Sequence, residues 1–276
     1  MKMLVLSDLH LDEILDRAYL NHIGTAIHEA GQEADALIIA GDLTEAAAQK
    51  WPDALRWLGT LYPAAKTVVI PGNHDYYGGN LGSLDAQLDQ ICHAAGCAFG
   101  QGRILVLGHV RVLMTTLWTD MRLLEAGRQN AVEDTLWNAR QMMPDYGYGA
   151  ITVDDPDRPL RPEDTIAVHE RQKAWLVSEL ARPWSGRTVV VTHHAPSGAV
   201  AGEITPLSPC FASNLEDEIG RYRPNLWLFG HTHKPAEMRM PCGTRLRNVS
   251  VGYEGETSLK EMVARVRRSL IDLGQK

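Results

Sequence analysis

The chain has 276 residues, 45% of them hydrophobic and 22% charged, with a formal net charge of −7. This is the balance of a globular protein with a full core, and the acidic excess argues against a nucleic-acid partner, which calls for a basic patch. No run of 18 apolar residues exists, so no membrane span is expected, and four scattered cysteines without a Cys-x-x-Cys pair argue against a disulfide framework or a structural zinc site and for reduced thiols in the cytoplasm.

The opening MKMLVLSDLHLDE carries one Lys and a short apolar run, then acids where an export signal needs small residues, so it reads as a first strand, Lys2–Ser7. Ala36–Ala40 and Lys66–Ile70 are also near-continuously apolar, as strands buried on both faces are. Helical spacing lies between and after them: Ile23, Ala26, Ile27 and Ala30; Trp51, Leu55 and Leu58; then Leu81, Leu84, Leu88, Ile91, Cys92 and Ala95. Strand starts every 30 to 34 residues with a helix between predict right-handed βαβ units and parallel pairing. Arg103–Leu107 and Arg111–Leu117, split by Gly108-His109, read as a hairpin. A helix at about Thr165–Leu180 precedes strands at Arg187–Thr192 and Asn225–Phe229. A β pair at Glu237–Met240 and Arg245–Val251 and an amphipathic helix beginning near Thr257 complete the chain. The segment 141–163 has four prolines and little periodicity. It reads as an insertion within a single domain spanning 1–276, either a lid or a solvated surface loop.

Polar residues cluster where the buried strands end. The first strand runs into Asp8-Leu9-His10, the second into Gly41-Asp42 and the third into Gly72-Asn73-His74-Asp75. TVVVT is followed by His193-His194, and NLWLF by Gly230-His231-Thr232-His233. Each group has an ordinary reading by itself: Gly72–Asp75 fits a turn, Asp42 an N-cap, and a single His a hydrogen-bonded side chain. Five strand ends carrying them together do not, because ligands bind at the carboxyl edge of such sheets. Carboxylate, imidazole and amide oxygen without thiolate suit divalent Mn, Fe, Zn, Ni or Co. Seven ligands exceed what one ion with open positions takes, but they suit two ions sharing a carboxylate, about 3.5–4 Å apart.

Asp8-x-His10, Gly41-Asp42, Gly72-Asn73-His74-Asp75, His193 and Gly230-His231-x-His233, in this order, resemble the signature blocks of the calcineurin-like metallophosphoesterase superfamily. The resemblance implies an α/β fold, a four-layer αββα sandwich of two mixed sheets flanked by helices. It also implies one metal on Asp8, His10, Asp42 and His233 and a second on Asp42, Asn73, His193 and His231, with Asp42 bridging. A metal-bridging hydroxide would then hydrolyse a phosphodiester or phosphomonoester, with His74 facing the substrate and Asp75 orienting His74 by a hydrogen bond. Asp75 after Asn73-His74 is the variant typical of phosphodiesterase-like branches. A small-molecule or nucleotide ester is the leading substrate class. A nuclease and a non-catalytic protein-binding scaffold of the same fold are the alternatives, and a scaffold is expected to have lost ligands. His194, Tyr146, Tyr148, Arg158 and Arg161 are the candidate substrate contacts: Arg suits a phosphate and Tyr stacks on a base. For His194 a structural role is the competing reading.

Overall fold

In the computed structural model the described residues are 1–126, 130–147, 150–153 and 158–274. The chain opens with β1 (Lys2–Leu6), α1 (Arg17–Gly31), β2 (Ala36–Ala40), α2 (Ala47–Leu61) and β3 (Thr67–Ile70). A short β4 (Gly79–Asn80) leads to α3 (Leu84–Ala94), β5 (Ala98–Phe99) and the hairpin β6 (Arg103–Leu107) with β7 (Val110–Thr115). Next come α4 (Ala131–Met142), β8 (Ile151–Val153), β9 (Arg158–Pro159) and α5 (Pro162–Ala181). β10 (Arg187–Thr192), α6 (Glu216–Tyr222), β11 (Leu226–Phe229), β12 (Glu237–Arg239) and β13 (Arg245–Asn248) follow, then α7 (Leu259–Arg268) and β14 (Leu270–Asp272).

Two mixed sheets carry the architecture. The first has the order β14-β1-β2-β3-β5 and is parallel except for β14; the second, β12-β13-β11-β10-β7-β6, is parallel except at its two edges. Alternation along the strands then sorts side chains into layers. Met3, Val5, Ile38 and Val68 meet Val112, Val189, Val191 and Leu228 between the sheets. Leu4, Leu6, Leu37 and Ile39 face outward onto Ile23, Ile27, Trp51, Leu55 and Val266 of α1, α2 and α7. On the far side, Val190, Trp227 and Leu246 pack on Leu176 and Leu180 of α5 and Ile219 of α6. The result is helix, sheet, sheet, helix, the expected four-layer αββα sandwich.

The departures from expectation are short elements. β14 pairs antiparallel with β1 through Lys2↔Asp272 and covers an edge that the sequence pattern leaves open. α4 and α6 depart from the sequence pattern, and the described residues of 141–163 include the short strands β8 and β9. Ile151 and Thr152 of β8 pair in parallel with Gly79 and Asn80 of β4, and β9 adds a third short strand. Strands of two or three residues are too short to show a period.

Candidate metal centre

The two sheets pinch together at one edge. Ser7, just past β1, bridges in parallel to Ser250, just past β13. Val251 N donates to Ser7 O at 2.9 Å and Gly230 N to His193 O at 2.9 Å. Strand ends from both layers therefore share one site, and the backbone there is unusual. Asp8, His10, Asp42, His231 and His233 have φ of +57°, +41°, +53°, +66° and +51°. Left-handed backbone costs a non-glycine residue on the order of 1 kcal/mol, and such residues gather at functional sites. Five of the seven expected ligands adopt it. Neighbouring glycines admit the crowding: a Cβ at Gly72 would lie 2.1 Å from Asp42 Oδ1, and one at Gly230 1.9 Å from Ser7 Oγ.

Ligand-capable atoms of Asp8, His10 and His233 lie within 4.8 Å of one another, and so do those of Asp42, His193 and His231. The Asp42 carboxylate stands between the groups, with Oδ2 3.3 Å from His193 Nε2 and 3.8 Å from His10 Nε2. Asn73 Oδ1 is 3.0 Å from His193 Nε2, so all seven residues converge. Asp42 is not an N-cap of α2, whose cap is Ala46.

A family model described as calcineurin-like phosphoesterase matches residues 1–235. The chain belongs to this family. It is 32% identical over 79 residues to an uncharacterized metallophosphoesterase of Helicobacter pylori, a match covering 29% of this chain and 21% of that protein. The matched stretch thus spans about a fifth of that relative's length. Among solved structures, a phosphopantetheinyl hydrolase from Mycobacterium tuberculosis superposes with a TM-score of 0.69 at 19% identity, over 91% of this chain and 89% of that one. A dimetal phosphatase from Danio rerio gives 0.53 at 14% identity, over 90% and 86%. These two likenesses establish the fold. Family membership agrees with the order of the motifs.

The residues at this edge fit a pair of divalent cations. Asp8 and Asp42 are fully buried carboxylates, and the imidazoles around them balance their charge. Burial lowers His10 to about 4 despite the Asp42 and Asp8 carboxylates, and it pushes His231 well below the usual range. For His193 and His233 burial also acts downward, but Asp42 raises His193 to about 9 and Asp8 raises His233 to about 10. Ligation requires imidazole lone pairs, so metal binding at His193 and His233 displaces protons that these carboxylates favour. His10 Nδ1 and His231 Nε2 are buried without a hydrogen-bond partner among the described residues.

A second layer of contacts fixes these groups. His193 Nδ1 donates to Ala40 O at 3.0 Å, and His233 Nδ1 faces Glu256 Oε2 at 2.9 Å. Asn73 Nδ2 donates to Asp145 Oδ1 at 2.7 Å, which turns the amide oxygen toward His193. Arg265 of α7 donates to His233 O and Val251 O at 3.1 and 2.9 Å. Glu45, Asp145 and Glu256 were missed in the sequence. Only Glu45, three residues after Asp42, carries a positional signal.

Asp75 does not orient His74. Its carboxylate accepts from Asp42 N, Gly72 N and Trp51 Nε1 at 2.7, 2.8 and 2.8 Å and from Thr44 N at 3.2 Å. It clamps the loops after β2 and β3 together; burial and the Asp42 charge raise it to about 7 against those donors. Glu45 takes the role instead, with Oε1 3.2 Å from His74 Nδ1. His74 is part-exposed, its ring edge-on to His10 at 5.0 Å and beside Tyr77 at 4.6 Å.

Three of the expected substrate contacts, His194, Tyr146 and Arg158, have structural partners. His194 is buried behind the centre, 4.4 Å from the His231 ring and 5.4 Å from Trp118, and burial lowers it to about 3. Tyr146 bonds Thr165 Oγ1 at 3.0 Å. Arg158 forms a two-pronged pair with Asp164 at 2.8 and 2.9 Å, and Arg161 N donates to the same carboxylate at 2.8 Å. These contacts secure the first turn of α5: Asp164 pairs with the Arg158 guanidinium and caps the Arg161 backbone, while the Arg161 side chain is exposed. Tyr148 lies outside the described residues.

Proposed function

We propose that this chain is a dinuclear-metal phosphoesterase acting on a small phosphate ester in the cytoplasm. The observation that carries the reading is the Asp42 carboxylate, which belongs to one three-residue ligand group and reaches to 3.8 Å from His10 of the other. Asp8, His10, Asp42 and His233 would hold one ion, and Asp42, Asn73, His193 and His231 the other. Such a pair supplies charge neutralisation for the phosphoryl group and lowers the pKa of bound water toward neutrality.

The chain's own residues do the rest. Glu45 occupies His74 Nδ1, which leaves Nε2 as the ring atom to hold a proton for the departing oxygen. The carboxylates of Asp42, Asp145 and Glu45 outweigh burial and raise His74, which favours its acid form. Tyr253, stacked on His10 at 4.0 Å, and Tyr77, beside His74, set aromatic rings next to the centre. The segment 141–163 is read as an insertion in one domain, and its Asp145 is tied to Asn73. The complete ligand set and the net charge of −7 favour this reading over a scaffold or a nuclease.

The test is hydrolysis by the metal-loaded chain of bis-p-nitrophenyl phosphate, p-nitrophenyl phosphate, cyclic nucleotides and a phosphopantetheinyl conjugate. The last is taken from the name of the Mycobacterium tuberculosis neighbour. Activity on at least one ester, abolished by chelator and restored by Mn or Zn, is expected. No turnover of any ester with two ions bound would overturn the proposal.

A further inference from the structure

The parallel strands of the second sheet have a second edge, about 17 Å from the metal-facing one along β10 at 3.3 Å per residue. A cavity of about 420 Å³ opens there, between the start of the second sheet and β14 of the first. Its floor is the end of the inter-sheet core, Val189, Leu226, Ile271 and Leu273. Four arginines line it: Arg187, Arg223, Arg239 and Arg245. Arg245 is paired with Glu237. Among the described residues no carboxylate pairs with Arg187, Arg223 or Arg239, and the one acid in the lining, Asp272, accepts from Gly274 N at 2.8 Å.

This concentration is not what the composition dictates. The chain is acidic, with 34 acidic against 27 basic residues; of the three unpaired with carboxylates, Arg223 donates from Nε to Gly220 O at 3.3 Å. Arg187, Arg223 and Arg239 line one cavity with a single acid, Asp272, among them, so an anion bound there relieves their mutual repulsion. Their planar forks match phosphate oxygens two at a time. The cavity volume falls within the range of small-ligand sites, and an apolar floor under a cationic rim asks for a ligand with both characters.

We propose that this cavity is a second ligand site, separate from the metal centre, that takes a phosphate monoester carried on an apolar or aromatic body. The phosphate sits among Arg187, Arg223 and Arg239, and the apolar body lies on Val189 and Leu226. The site stands whether or not the metal reading does, since no metal-centre residue lines it.

Cys242 lines the same cavity and reports on it; it is part-exposed, as is Cys97, whereas Cys92 and Cys210 are buried. The probe is phenylphosphonate, which has an aromatic body and no hydrolysable ester. The experiment measures iodoacetamide alkylation of the metal-loaded full chain by peptide mass spectrometry. Alkylation of Cys242 should slow about tenfold at a concentration near ten times the Kd, with Cys97 unchanged. Inorganic phosphate at the same concentration should protect less. Arg223→Ala and Arg239→Ala should each weaken protection about tenfold, as loss of a charge-assisted pair does, without altering metal content or ester hydrolysis. Unchanged Cys242 reactivity in the wild type would overturn the proposal, and so would full protection in a chain carrying both Arg223→Ala and Arg239→Ala. Equal protection by inorganic phosphate would remove the apolar half of the ligand.

Discussion

His74 and Glu45 form the pair on which turnover should depend most apart from the ligands. His74→Ala should keep both ions and lose about 10²–10⁴-fold in kcat, the usual worth of a positioned acid–base group. Glu45→Gln should lose less and, like His74→Ala, lose most on esters with poor leaving groups, because p-nitrophenolate departs without a proton. A kcat series across leaving groups checks this, and a flat dependence in both variants would make His74 an electrostatic group only. The division of labour between Asp75 and Glu45 shows where residue-level reading stops. Gly-Asn-His-Asp announces a functional turn in the sequence. Which carboxylate reaches the imidazole depends on how the loops after β2 and β3 cross, and Asp75 is drawn away by three backbone amides and Trp51.

Among elements, the buried strands were legible because continuous apolar runs of four to six residues read as buried strands, with the polar residues placed at their ends. The strand β14, the helices α4 and α6 and the small sheet of β4, β8 and β9 were not, since they are held by tertiary neighbours and not by periodicity. The segment bearing Asp145 has the clearest functional consequence. Asp145→Ala removes the acceptor of Asn73 Nδ2 and frees the amide to rotate. Such outer contacts are worth about 10–100-fold in metal affinity, so one ion per chain should be lost first on dialysis against a chelator. Equal retention of both ions would show that Asn73 needs no such support.

α5 contributes a pH dependence of its own. His169 on this helix is fully buried against the Trp118 carbonyl, and burial lowers its pKa. The unfolded chain, with an ordinary value near 6.5, then binds more protons than the folded one below that pH. The contribution is complete above about pH 6.5 and declines as pH falls from there toward the folded value, by at most about 1.4 kcal/mol per unit. Calorimetric melting of wild type and His169→Gln between pH 7 and 5 checks this. The variant should show the shallower slope, and parallel curves would assign the loss to other groups.

Taken whole, the molecule spends backbone strain and carboxylate burial at one edge of a sandwich whose core is otherwise regular. Asp8, His10, Asp42, His231 and His233 all hold left-handed backbone where two sheets meet. Both sheets must be in register for the two ligand groups to share Asp42. The sharing of that carboxylate is the centre of the account, and counting ions tests it most directly. Elemental analysis of purified wild type should find about two divalent ions per chain. Asp8→Asn should lose mainly one, and Asp42→Asn should lose or weaken both. Two fully retained ions in the Asp42→Asn chain would contradict it.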